Sequence, residues 1–130
     1  MDRTRKSFNV CKVNARSLRA PSHLLDLEIL SDYSVDVLCI TETWLLNSKS
    51  SQSISLPDFQ LPFRKDRNVS PGGGVAIYIC TGIAARIIPI PDNTEVICIQ
   101  LMISRRAKLN VISAYRTPGP NAEVFFQQMK

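Results

Sequence analysis

Hydrophobic positions concentrate in short runs separated by polar turns. Residues 7–13 (SFNVCKV) alternate apolar and polar and read as a half-buried strand that runs out at Asn14. Residues 37–40 (VLCI) are continuously apolar, as in a strand covered on both faces. Between them, Pro21 and Ser22 mark a helix start, with Ser22 as the N-cap. Leu25, Ile29, Leu30 and Tyr33 supply the apolar face of that helix. Residues 46–55 read as a polar loop with at most a helical turn, and Pro62 confines the extended piece 59–63 to a sheet edge. Four further strands follow at 75–80, 84–90, 95–103 and 109–115, and their short connections predict successive antiparallel hairpins. Asn121 opens a last helix over 122–130, which ends without a capping signal and so reads as the start of a truncated C-terminal region.

The strand–helix–strand unit at the start predicts two parallel strands joined by a right-handed crossover. Parallel strands end on one sheet edge, so Asn14 and Glu42, each just past a strand, should lie close together. Open α/β sheets hold ligands at such edges. An ionised carboxylate where an apolar strand leaves the core is costly without a cationic partner. A metal ion would serve, and so would a basic side chain or a helix N-terminus.

The 130 residues suit one domain, residues 1–130, with 45% apolar and 21% charged positions as in a globular protein. No apolar run reaches membrane-spanning length, and the N-terminus lacks a secretory apolar core. A net charge of +5 favours a polyanionic partner. The cations cluster at Arg3, Arg5 and Lys6, at Arg64, Lys65 and Arg67, and at Arg105, Arg106 and Lys108, each beside a strand and read as a solvated loop. Cys11, Cys39, Cys80 and Cys98 sit in apolar strands without metal-ligand spacing and read as buried thiols. His23 lacks a sequence partner and reads as a surface residue. The run Gly72-Gly73-Gly74 precedes a strand and lacks the Lys-Ser/Thr of a phosphate loop, so it reads as a turn needing positive φ or close backbone approach.

Five segments in order, 14–18 (NARSL), 36–45 (DVLCITETWL), 64–67 (RKDR), 72–78 (GGGVAIY) and 113–118 (SAYRTP), resemble the endonuclease domain of non-LTR, jockey-like retrotransposon polyproteins. That domain belongs to the endonuclease/exonuclease/phosphatase, or deoxyribonuclease-I-like, superfamily. The resemblance implies an α/β class fold, a four-layer sandwich of two mixed β-sheets with flanking helices, here incomplete. It implies a Mg²⁺-dependent phosphodiester hydrolase, with Mn²⁺ as a substitute ion, that nicks target DNA beside a linked reverse transcriptase in the nucleus. Glu42 would bind the metal, Asn14 would help orient metal and phosphate, and Tyr115 would contact the phosphate. Arg16, Arg67 and Arg116 match positions near the DNA. The family's later Asp-x-Asn and Asp-His motifs have no counterpart: after Tyr115 the acidic residue is Glu123, and His23 comes far too early. Catalysis by this chain alone is therefore not expected. Two alternatives remain at this point: a non-catalytic basic nucleic-acid-binding protein, contacting phosphates through the clusters at 64–67 and 105–108, and a phosphomonoesterase of the same superfamily.

Overall fold

A computed structural model describes residues 8–31, 34–67, 72–90 and 95–114. Among them, two sheets form the framework. The first contains β1 (Val10–Asn14), β2 (Val37–Thr41), β3 (Phe63–Lys65) and β4 (Val75–Ile79) in the order β1-β2-β4-β3. The second contains β5 (Ala84–Ile88), β6 (Val96–Met102) and β7 (Lys108–Ala114) as an antiparallel meander. Helix α1 (Pro21–Ser31) connects β1 to β2, and those two strands are parallel as the crossover requires.

Every residue of β2 and β4 is buried, which explains their unbroken apolar sequence. Tyr78 donates its hydroxyl to the Ile54 carbonyl at 2.6 Å, so the face carrying Leu38, Ile40, Ala76 and Tyr78 lies toward the 3₁₀ turn Ser51–Ile54. Ile97, Ile99, Leu101 and Val111 of the second sheet join the same hydrophobic cluster. Each such side chain, fully buried, contributes roughly 1.5–3 kcal/mol relative to exposure. β3 is an edge strand, in keeping with Pro62 just before it.

Several local expectations need correction. Ser22 is not the N-cap: α1 begins at Pro21, and the Ala20 carbonyl accepts from the N–H groups of His23 (3.1 Å) and Leu24 (3.4 Å). Proline suits the first helical position because its missing N–H has no intrahelical acceptor there. The helix buries Leu27 with Leu24 packed alongside, whereas Leu25 is 57% exposed, one step of helical rotation away from the core. β4 and β5 are not a hairpin, because the chain changes sheets between them. Cys80 N–H donates to the Asp36 carbonyl and Thr81 N–H to the Asp58 carbonyl, and Gly82 turns with φ 95°. Backbone partners on the first sheet's side hold the exit, and the glycine redirects the chain.

The cysteines are free thiols, three buried and Cys11 half-buried. Arg64 and Lys65 lie inside β3, not in a solvated loop.

Candidate functional site

Parallel pairing sets Asn14 opposite Thr41, so Glu42 is the first residue past the end of β2. The Asn14 side-chain Nδ2 donates to Glu42 Oε2. Asn14 Oδ1 accepts the Arg16 N–H at 3.2 Å, closing a local Asx turn. The two contacts together fix which way the amide faces, since a carboxylate only accepts and an N–H only donates.

The backbone here is unusual. Arg16 (φ 49°), Ser17 (101°), Glu42 (55°) and Trp44 (56°) all lie in the left-handed region. Non-glycine residues there cost roughly 1–2 kcal/mol each, and such outliers cluster at functional sites. A hydrogen-bonded lattice holds them. Past the strand ends the ladder continues with Ala15 N–H to Thr41 O (2.9 Å), Ser17 N–H to Glu42 O (2.9 Å) and Leu18 N–H to Thr43 O (2.8 Å). His23 is no simple surface residue. Half-buried, it donates from Nδ1 to the Ser17 carbonyl at 2.7 Å and braces the same loop.

The triple glycine supports the other side. Thr43 N–H donates to Gly74 O (3.3 Å) and Trp44 N–H to Gly73 O (2.9 Å). Gly72, Gly73 and Gly74 have φ of 85°, 65° and 91°. A Cβ on Gly73 would run into the Arg67 guanidinium and the Glu95 carboxylate, and one on Gly74 into Thr43 Oγ1. The turn is expected to need positive φ or close approach, and it shows both. Glu95 ties the arrangement together: its Oε1 accepts Gly74 N–H at 2.7 Å, and its Oε2 pairs with Arg67. Thr43 Oγ1 and Trp44 Nε1 are buried without hydrogen-bond partners among the described residues. Glu95 and Thr43 escaped the sequence reading, although an acidic residue immediately before the apolar run 96–99 mirrors Glu42 immediately after β2.

The cations divide by role. Arg16 and Arg19 are exposed on the loop beside Glu42, and Arg19 was not anticipated. Arg67 is 19% exposed and paired with Glu95. Arg64 is a structural residue: its guanidinium binds Asp66 at 2.7 and 3.1 Å, Lys49 O at 2.6 Å and Leu46 O at 2.9 Å. Its donors are committed to fixing the 46–51 loop, so the cluster at 64–67 is no free phosphate-binding patch. Arg105 and Arg106 lie in the β6–β7 turn, and Lys108 begins β7, at the end of the second sheet away from Glu95. Tyr115 and Arg116 lie outside the described residues, as do the 91–94 turn and the helix expected at 122–130.

Among the described residues no group of three or more His, Cys, Asp or Glu side chains could hold a metal. The residues present suit an ion that needs few protein ligands. Mg²⁺ keeps several waters and takes one or two carboxylates, and no basic side chain among the described residues pairs with Glu42. No helix there is long and apolar enough to cross a membrane.

No protein-family model matches the sequence, and no curated protein matches it. Among solved structures, the chain is similar to the endonuclease domain of TRAS1, a telomere-specific non-LTR retrotransposon, with a TM-score of 0.68 and 14% identity. The match covers 95% of this chain and 51% of that one, so the chain spans about half the length of the domain it resembles. The expected α/β architecture with two packed sheets is therefore correct. The chain shares the fold of about half of that endonuclease domain.

Proposed function

We propose that this chain forms part of a Mg²⁺-dependent endonuclease that nicks DNA by phosphodiester hydrolysis. The observation that carries the reading is the Asn14–Glu42 pair, built on left-handed backbone at the shared end of two parallel strands in an endonuclease fold.

Glu42 would hold the ion through its carboxylate. Asn14 orients that carboxylate through Nδ2, and its Oδ1, which accepts one hydrogen bond from the Arg16 N–H, keeps a second lone pair that would be available to the ion. Bound there, Mg²⁺ would supply charge stabilisation for the phosphate and the leaving oxygen. Arg16, exposed on the adjoining loop, is placed for a phosphate contact. Arg67 acts first through Glu95, holding the glycine turn beneath Trp44, and less directly on DNA. β7 ends at Ala114 opposite Val96, next to Glu95, and Tyr115 and Arg116 follow it with the phosphate and DNA roles that the resemblance implies. The reverse transcriptase linkage and nuclear action rest on that resemblance.

The Asp-x-Asn and Asp-His motifs that would activate water and steady the phosphate do not follow Tyr115 within these 130 residues, where the acidic residue is Glu123. The chain by itself is therefore proposed to bind the ion without turnover. Two measurements on the chain and its Glu42→Gln variant test this: Mn²⁺ binding by paramagnetic line broadening, and plasmid nicking with Mg²⁺. Binding that disappears in the variant, with no nicking by either, is expected. A wild-type chain that binds no ion at Glu42 overturns the assignment, and nicking abolished by the substitution overturns the claim of inactivity.

A further inference from the structure

We propose that the outer face of β5-β6-β7, at the end remote from Glu42, is a second binding surface, taking the sugar-phosphate backbone of a nucleic acid. The register sets Ala84, Met102 and Lys108 in one row across the sheet and Arg86, Gln100 and Asn110 in the next row on the same face. Arg86 Nε donates to Gln100 Oε1 (3.1 Å), and Gln100 Nε2 donates to Asn110 Oδ1 (3.4 Å). This polar row crosses three strands and holds the guanidinium by its Nε. The terminal nitrogens remain available for the forked contact that arginine makes with phosphate. Small Ala84 leaves an open groove of about 290 Å³ between Arg86, Gln100, Met102 and Lys108.

The adjoining β6–β7 turn adds Arg105 and Arg106, both exposed. Ser104 Oγ orders that turn by accepting from the N–H groups of Arg106 (3.3 Å) and Ala107 (3.1 Å). Two cations thus line the groove and two more sit in the adjoining turn, and among the described residues no carboxylate pairs with any of the four. A surface made for solubility intersperses both signs. Here the acidic residues of 84–114 are Asp92 and Glu95, and Glu95 sits at the opposite end of β6. Six residue steps along β6, at about 3.3 Å each, separate the two ends by about 20 Å. The surface is therefore distinct from the Asn14–Glu42 edge, and a strand held there could not simultaneously present the same phosphate to Glu42.

The test is fluorescence anisotropy of a labelled DNA duplex, titrated with the whole chain in EDTA over a series of NaCl concentrations. Metal-free conditions separate this proposal from the Glu42 reading. In these conditions the wild-type chain should bind with log affinity falling against log salt at a slope of about −3 to −4, as four phosphate contacts give. The variant combining Arg86→Gln, Arg105→Gln, Arg106→Gln and Lys108→Gln should bind at least about tenfold more weakly at low salt, with a markedly shallower slope. All four side chains are exposed, so its thermal denaturation should match wild type. Unchanged binding by the fourfold variant, or no binding by wild type at low salt, overturns the proposal. Full displacement of the duplex by inorganic phosphate at matched ionic strength would assign the groove to a free anion and overturn the nucleic-acid assignment. An RNA duplex that binds equally supports recognition of the shared backbone.

Discussion

The Glu95 carboxylate accepts the Gly74 N–H at 2.7 Å while pairing with Arg67, so one acidic side chain anchors the turn whose carbonyls hold Thr43 and Trp44. Gly74→Ala should be the harsher of two substitutions here. It combines an unfavourable φ of 91° with a Cβ driven against Thr43 Oγ1, for a loss of about 2–4 kcal/mol. Glu95→Gln keeps an acceptor for Gly74 and loses a partly exposed ion pair, for about 1 kcal/mol. Urea midpoints rank the two. Equal losses would mean that the turn does not depend on close approach to Thr43.

Glu42 occupies φ 55°, a conformation that glycine adopts without penalty. Glu42→Gly should therefore be more stable than Glu42→Ala by about 1 kcal/mol, despite the greater flexibility of an unfolded glycine. Both variants should lose Mn²⁺ binding. A residue that destabilises its own position yet binds the ligand is the signature of stability traded for function. Equal stabilities for the two variants would show that the left-handed backbone carries no strain.

Arg64 should behave as a core residue. Its removal would leave Asp66, whose side chain is 4% exposed, as an unpaired buried charge, and would release the Leu46 and Lys49 carbonyls. Arg64→Ala is expected to cost about 3 kcal/mol or more in chemical denaturation. Arg64→Lys should recover little of that, because an ammonium cannot span the same partners. DNA affinity measured on the folded fraction should stay at the wild-type value. A large selective loss of DNA binding without destabilisation would return Arg64 to the surface-contact role read from its sequence neighbours.

The parts of this fold that were legible in sequence are those fixed by local pattern. The apolar runs of β2 and β4 announce buried central strands, and the β1–α1–β2 spacing by itself brings Asn14 to Glu42. What escaped depends on partners far along the chain. Nothing in the run Arg64-Lys65-Asp66-Arg67 distinguishes Arg64, locked to carbonyls 15 and 18 residues earlier, from an exposed cation. Glu95 becomes meaningful only once β6 lies beside the glycine turn, 21 residues away from Gly74. The sheet change after β4 rests on the Asp36 and Asp58 carbonyls, which no turn signal reveals. Leu25 and Leu27 differ only in which side of α1 meets the sheet, and a helix with apolar residues at 24, 25 and 27 leaves that choice to tertiary contacts.

Cys39 gives the protein a defined alkaline limit. It lies 5% exposed in β2, and burial pushes its thiol up from 9.0 to about 11, with neighbouring Cys11 adding to the rise and Lys12 opposing it. Burial raises Tyr78 and Cys98 in the same direction. A folded-state pKa above the unfolded value means that the native state binds protons more tightly. Stability is then unaffected below about pH 9 and falls as pH rises from 9.0 toward 11, while the unfolded thiolate ionises and the buried thiol does not. Cys39 alone should account for a loss of at most about 2–3 kcal/mol across that window. Denaturation midpoints between pH 8 and pH 11 would trace it, and Cys39→Ala, less stable at neutral pH through its cavity, should show a shallower decline. Thiol labelling gives an independent check: half-buried Cys11 should react first, and Cys39 only at the rate of unfolding. Rapid labelling of Cys39 in the native state would mean that β2 is not sealed, and the alkaline loss should then be absent.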